Sequence, residues 1–215
     1  MATDLVIVGC GGHGREVLTI VHAVNKASDH GSAWRIAGFV DDAPSEVNLK
    51  RLRALGADYL GRIHVLATLP AETHVALGIG DPRGRQTVVD RMAAYPRPAA
   101  VLVHPDATVG PDLVHGEGLL VFAGARVTTN VVLGRHVHLN QNATVGHDCV
   151  LGDFVSINPL AAVSGGCRVD SGALVGAGAV VLQQRHVATA ATVGAAACVV
   201  RDVPSHAVVK GVPAR

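Results

Sequence analysis

Aromatic side chains are scarce in this chain of 215 residues: three Phe, two Tyr and one Trp make up only 3% of it. Apolar residues nevertheless reach 49%, so the apolar content is carried by Val, Ala and Leu. That excludes a core built on large rings and favours a narrow, regularly packed interior. Charge is scarce too, at 16% with a net of +1, which leaves no electrostatic footprint for nucleic acid. The four cysteines, Cys10, Cys149, Cys167 and Cys198, form no CxxC pair and no short disulfide spacing, which excludes a disulfide framework. No run of 18 apolar residues offers a membrane span, and MATDLVIVGC has no basic stretch followed by an apolar signal core. The expectation is a cytoplasmic protein with reduced thiols and no membrane partner.

What is abundant divides the chain in two. From Leu5 to about Tyr95, short apolar runs alternate with helical spacing. LVIVG (5–9) reads as a buried strand that breaks into a glycine-rich turn, and residues 13–25 place Val17, Leu18, Val21 and Val24 on one helical side. WRIAGFVDD (34–42) and THVALGIGD (73–81) read as further strands, and PRGRQTVVDRMAA (82–94) as a helix with Pro82 in its first turn. Such alternation predicts a small parallel α/β sheet over residues 1–97.

After YPRPAA (95–100) the period changes. Every sixth residue from Val103 to Val199 is Val, Leu or Ile at 16 of 17 positions, with His115 the exception. Four places further on sits a second small apolar residue, as at Ala125, Ala143, Cys149, Ala161, Cys167 and Ala179, and glycine often follows the first position. A fixed short period signals a solenoid. Six-residue units supply one short strand and one turn, and three units close a triangular coil. The expectation for 98–215 is a left-handed parallel β-helix of roughly six coils stacked at about 4.8 Å. The 25 glycines of the chain suit its many tight turns and close backbone approaches.

Several motifs carry chemistry. Gly9-Cys10-Gly11-Gly12-His13-Gly14 follows a strand and opens a helix, where bare amides bind phosphate. The spacing also fits a dinucleotide turn. A ligand pyrophosphate at Gly11 and Gly12, with His13 as a polar contact, stands here beside the plain alternative of a tight strand–helix turn that binds nothing. Asp41 and Asp42 end the second strand, where a carboxylate can accept from a ribose or base or else cap a loop, and Gly80 ends the third strand on the same edge. His147 lies in a turn, two residues after an inward Val145, and Asp148 can orient its imidazole. Histidine is the usual base for proton transfer near neutral pH. Asn140 precedes His147 by one corner, and a turn Asn satisfying its own backbone is the plain alternative. His136 and His138 flank Val137, but two histidines at this spacing do not make a zinc site, so no metal is expected. Cys149 and Cys167 fit as small inward hydrophobes.

The hexads and the closing VGAAACVVRDVPSHAVVKGVPAR (193–215) resemble the hexapeptide-repeat acyltransferase superfamily. VIVGCGGHGREV (6–17), GFVDD (38–42), GIGDPRGR (78–85) and GHDC (146–149) narrow the resemblance to nucleotide-amino-sugar N-acetyltransferases and sialic-acid O-acetyltransferases. The resemblance implies that acetyl-CoA is the co-substrate and a UDP- or dTDP-linked amino sugar the acceptor. His147 is then the general base, with Asn140 helping to position the reacting groups, and the active site lies between subunits of a homotrimer. It places Ser156, Gly165, Ala177 and Ala195 at the acetyl-CoA. The sequence departs from the family at Ser156, where a histidine is common, and at Pro159-Leu160, where a Pro-Gly pair is common. Rival expectations are O-acetylation of a sialic acid or another sugar hydroxyl, a β-helix carbonic anhydrase requiring zinc, and a non-catalytic nucleotide-sugar sensor.

Overall fold

The computed structural model describes residues 2–28, 31 and 33–215. The N-terminal unit is a four-stranded parallel sheet in the order β3-β2-β1-β4, with β1 at Thr3–Val8, β2 at Trp34–Val40, β3 at Tyr59–Gly61 and β4 at His74–Leu77. Helices α1 (Gly12–Ala27), α2 (Glu46–Ala54) and α3 (Pro82–Met92) and a 3-10 turn at Ile63–Thr68 complete it. The sequence reading carried two strands too far, to 42 and to 81, and missed α2, β3 and the 3-10 turn. The second strand ends at Val40 because Asp41 turns its carboxylate onto the local amides of Cys10 (2.8 Å) and Ala43 (3.0 Å). Helix α2 buries only Leu52, so it leaves no apolar stripe to read.

Residues 98–100 still belong to this sheet. Val75 donates to the Pro98 carbonyl at 2.9 Å and Ala100 donates to Val75 at 2.8 Å, so a boundary drawn at 97/98 falls inside a hydrogen-bonded pairing. The coils begin at Leu102.

From there, eighteen two-residue strands run from β5 (Leu102–Val103) to β22 (Val208–Val209) and stack into three parallel sheets of seven, six and five strands. From β5 to β21 each pairing joins strands 18 residues apart, as in Thr144 with Ala162 and Val145 with Val163, so three hexads make one coil; the last pairing, Thr192 with Val208, is two residues shorter. The result is a left-handed parallel β-helix. Its first face stacks Leu102, Leu120, His138, Ser156, Leu174, Thr192 and Val208 outward; its second carries Thr108, Arg126, Thr144, Ala162, Val180 and Cys198; its third carries Val114, Val132, Val150, Arg168 and His186.

The sixth-residue series and the second small position fill the interior together, from Val121 and Ala125 to Val199, at 0–3% exposure. The first coil departs, since Val109 is 40% exposed at the open end of the prism. Glycines after the inward position have a different cause from the turns. A Cβ on Gly134, Gly146 or Gly176 would stand 2.5–2.6 Å from a backbone nitrogen of the next coil. The left-handed turn residue comes two places later and is mostly not glycine: Asn130, Asn142, Asp148 and Phe154 have φ between 55° and 60°.

The two units share a core. Leu5, Ile7, Val17 and Phe39 pack with Leu102, Leu120 and Phe122 of the first face, so the sheet and α1 are seated on the lower coils.

Candidate active site

The turn between β1 and α1 is built by interlocking glycines. A Cβ on Gly14 would lie 1.9 Å from the Gly9 carbonyl oxygen, and one on Gly78 would lie 2.4 Å from Cα of Gly14. These three glycines let β1, β4 and α1 approach. Gly11 and Gly12 have no such reason: a Cβ on Gly11 meets nothing within 4 Å, and one on Gly12 meets only Arg15 at 3.9 Å. Glycine there leaves bare amides at the start of α1, which has no side-chain cap and no acid in its first turn. That is a charge arrangement suited to an anion. Beside it, a cavity of about 340 Å³ opens at the carboxyl ends of the strands, lined by Gly9, Asp41, Asp42, Ile79, Val88 and Arg91.

Both aspartates are already engaged. Asp41 ties the glycine turn to the end of β2 through the Cys10 amide. Asp42 accepts from the Ile63 amide at 2.9 Å and pairs with Arg91. They therefore shape the cleft rather than projecting free carboxylates into it. His13 also differs from expectation. Its Nδ1 meets Glu16 at 3.3 Å, while its Nε2 turns to the β-helix and meets Nδ1 of His138 at 3.1 Å. Burial pushes His13 below the ordinary histidine range, with Glu16 opposing.

The residue that sequence reasoning missed is Arg85. It is fully buried, and it joins the two units by donating to the carbonyls of Ile79 (2.8 Å), Gly80 (3.2 Å), His136 (3.1 Å) and Phe154 (2.8 Å) and to Nδ1 of His138 (3.2 Å). Burial lowers its pKa to about 9, partly offset by Asp81, so it stays cationic at neutral pH. A signal existed: Arg85 shares a helical stripe with Val88, Val89 and Met92, the face of α3 that packs inward.

Ser156 belongs to this joint. It is buried, its hydroxyl donates to the Gly80 carbonyl at 2.9 Å, and it accepts from Arg85 at 3.0 Å. The coenzyme contact expected of it is corrected accordingly, because the short side chain is spent between the two units. His136 and His138 likewise have packing partners, Phe154 at 5.3 Å and His13 at 5.2 Å between ring centroids. Burial pushes His136 down to about 4 and His138 well below its usual range. Among the described residues no three His, Cys, Asp or Glu side chains gather as metal ligands.

His147 stands apart from these buried histidines, with its side chain 64% exposed. Asp148 follows it in left-handed backbone (φ 59°), which short acidic side chains tolerate, and its carboxylate reaches Nδ1 of His147 at 2.7 Å. That hydrogen bond holds the Asp148 carboxyl below the usual carboxylate range. It also places the proton of a neutral imidazole on Nδ1 and leaves Nε2 as the unprotonated nitrogen. The ring lies over Gly165 one coil on, where a Cβ would come within 2.4 Å of Nε2. Gly165→Ala should therefore displace the ring and cut kcat roughly 10–100-fold, with the melting temperature within a few degrees of wild type. A Gly165→Ala variant with wild-type kcat would show that the ring position is immaterial.

The remaining candidates fall on another edge of the prism. Asn140, Ala177 and Ala195 lie in turns between the first and second faces, whereas His147, Asp148 and Gly165 lie in turns between the second and third. Asn140 is buried and donates to the Ile157 carbonyl at 3.0 Å and to Asn158 at 3.3 Å, continuing the ladder of its edge. One chain does not bring the two groups together. The buried thiols offer no substitute chemistry: burial pushes Cys10 up to about 12, and Cys149 and Cys167 are enclosed in the prism, where each donates to a carbonyl at 3.1 Å, of Ser164 and Leu182 respectively.

The α/β unit matches the family model described as the PglD N-terminal domain over residues 4–92. No curated protein sequence matches the chain. Among solved structures, the acetyltransferase domain of PglB from Neisseria gonorrhoeae FA1090 is 33% identical, with 99% of this chain and 98% of that one covered and a TM-score of 0.84. The same domain has been solved in complex with acetyl coenzyme A, at 32% identity. PerB from Caulobacter crescentus, in complex with CoA and GDP-perosamine, is 30% identical over 100% of this chain and 97% of its own, with a TM-score of 0.87. With both halves in the same order and matched from end to end, the chain belongs to the hexapeptide-repeat family of nucleotide-amino-sugar N-acetyltransferases.

Proposed function

We propose that this protein transfers an acetyl group from acetyl-CoA to the amine of a nucleoside-diphosphate-linked sugar, with His147 as general base. The observation that carries this reading is the exposed His147–Asp148 pair, its imidazole seated over the bare backbone of Gly165. The nucleotide occupies the cleft at the glycine turn, its pyrophosphate on the amides of Gly11 and Gly12, and the sugar amine extends to His147. The amine nitrogen attacks the thioester carbon as Nε2 of His147 takes its proton. The C–S bond then breaks, backbone amides having held the oxyanion, and the CoA thiolate leaves and accepts a proton from the imidazolium. No covalent acyl-enzyme is needed.

The acting form is a homotrimer in the cytoplasm. The candidate residues divide between the two edges that flank the second face, so the site closes when one chain's His147 edge meets the Asn140–Ala195 edge of the next. Three chains turned about a threefold axis, second faces inward, make that contact three times. Gly165, Ala177 and Ala195 then line the coenzyme groove with small side chains.

UDP or dTDP is the proposed carrier. A GDP-linked sugar is the competing outcome, favoured by the compound bound to the Caulobacter relative. Incubating the protein with acetyl-CoA and UDP-, dTDP- and GDP-linked amino sugars, and weighing the products by mass spectrometry, should show one acetyl group added to an amino sugar. Acetylation only of hydroxyl acceptors such as sialic acid, or of none, would contradict the reading.

A further inference from the structure

We propose that His138, a residue of the β-helix, is a positioning residue for the nucleotide cleft of the α/β unit and acts through His13; the inference rests on the reading that the glycine turn receives a diphosphate. His138 occupies an outward place on the first face where the same stack carries Leu102, Leu120 and Leu174. It is fully buried, and its Nδ1 is met by Arg85 at 3.2 Å and by Nε2 of His13 at 3.1 Å. A guanidinium only donates, so Nδ1 of His138 is an acceptor and its ring proton sits on Nε2. That Nε2 is buried without a partner, an arrangement that a leucine in this stack would avoid. What imidazole supplies here, and leucine does not, is the acceptor at Nδ1.

The consequence falls on His13. With His138 fixed as acceptor, Nε2 of His13 must be the donor in their contact. Nδ1 of His13 is then the nitrogen left to gain a proton and to meet a phosphate oxygen at the start of α1. The groups facing His13 are Glu16 from its own helix, Arg85 from α3 and His138 from the β-helix, with the Phe122 ring packed at 5.2 Å. Glu16 favours a proton on Nδ1, while Arg85 and burial oppose it. A bound diphosphate adds a second anion on the side of Glu16 and tips that balance. Arg85 and His138 thus hold one end of the imidazole so that the other is presented to the ligand.

The test compares wild type with His138→Leu and His138→Asn in the full-length protein. Asn keeps an acceptor near the place of Nδ1; Leu matches the residues already in the stack. UDP, dTDP and GDP are titrated calorimetrically, with acetyl-CoA as the control ligand, and the His13 ring is followed by 15N NMR. In wild type at least one nucleotide should bind, with His13 protonated at Nε2. His138→Leu should weaken that nucleotide roughly tenfold, leave the acetyl-CoA Kd within about twofold, and release His13 into mixed tautomers. His138→Asn should stay within about threefold of wild type. Unchanged nucleotide binding by His138→Leu would overturn the positioning role alone. So would parallel loss of both ligands with a lowered melting temperature in both variants, which marks a structural residue. If wild type bound none of the three nucleotides, the reading of the cleft would fall and the positioning role with it.

Discussion

His147→Ala should lower kcat by roughly 10²–10⁴, the range for loss of a general base, while acetyl-CoA and the nucleotide sugar still bind. The effect should be almost purely chemical. The imidazole is 64% exposed and projects from a turn, so its removal leaves no hole in the aliphatic stack of Val145, Leu151 and Val163. Its one polar partner among the described residues, Asp148, is itself exposed and can exchange the lost hydrogen bond for water. The melting temperature should therefore move by no more than a surface substitution moves it. A rate within threefold of wild type would place the base elsewhere. A rate loss that came with a large drop in melting temperature would make His147 a structural residue.

How much of this was legible in the sequence depended on whether a residue met the same surroundings again and again. The hexads were readable because every inward Val, Leu or Ile meets an equivalent neighbour one coil above and below, so position alone dictates residue type. The glycine turn was readable because Gly9, Gly14 and Gly78 stand where backbone meets backbone. Elsewhere a residue's role is set by a partner far along the chain. Arg85 and Ser156 lie 71 residues apart, and nothing local in either segment announces their meeting. The coenzyme role for Ser156 came from a family position usually filled by histidine; a hydroxyl on one carbon cannot reach as far and is taken by Gly80 and Arg85. Asp41 and Asp42 follow the last residue of β2 rather than ending the strand themselves, and their carboxylates serve the amides of Cys10, Ala43 and Ile63 before any ligand. The division of candidate residues between two edges was implicit in the period, since Asn140 and His147 are separated by one hexad and a place, yet only the stacked coils show that a strand of the second face lies between them.

That division gives the second large effect. A trimer of His147→Ala chains lacks the base at every site. A trimer of Ala195→Trp chains keeps the base but fills the coenzyme groove from the opposite edge, at a position exposed in the single chain and hence tolerant of the ring. Each should be nearly inactive alone. In a mixed trimer, every arrangement of the two chains contains one contact where an intact His147 edge meets an intact Ala195 edge. Three-quarters of randomly assembled trimers are mixed, so co-expression at equal levels should restore roughly a quarter of wild-type activity. The decisive measurement is the specific activity of the co-expressed, purified mixture, with native mass spectrometry to count the chains of each kind. Recovery of about a quarter of wild-type activity is the expected result for a site shared between two chains. Mixed trimers with no more activity than the parents, or an Ala195→Trp protein as active as wild type, would contradict it.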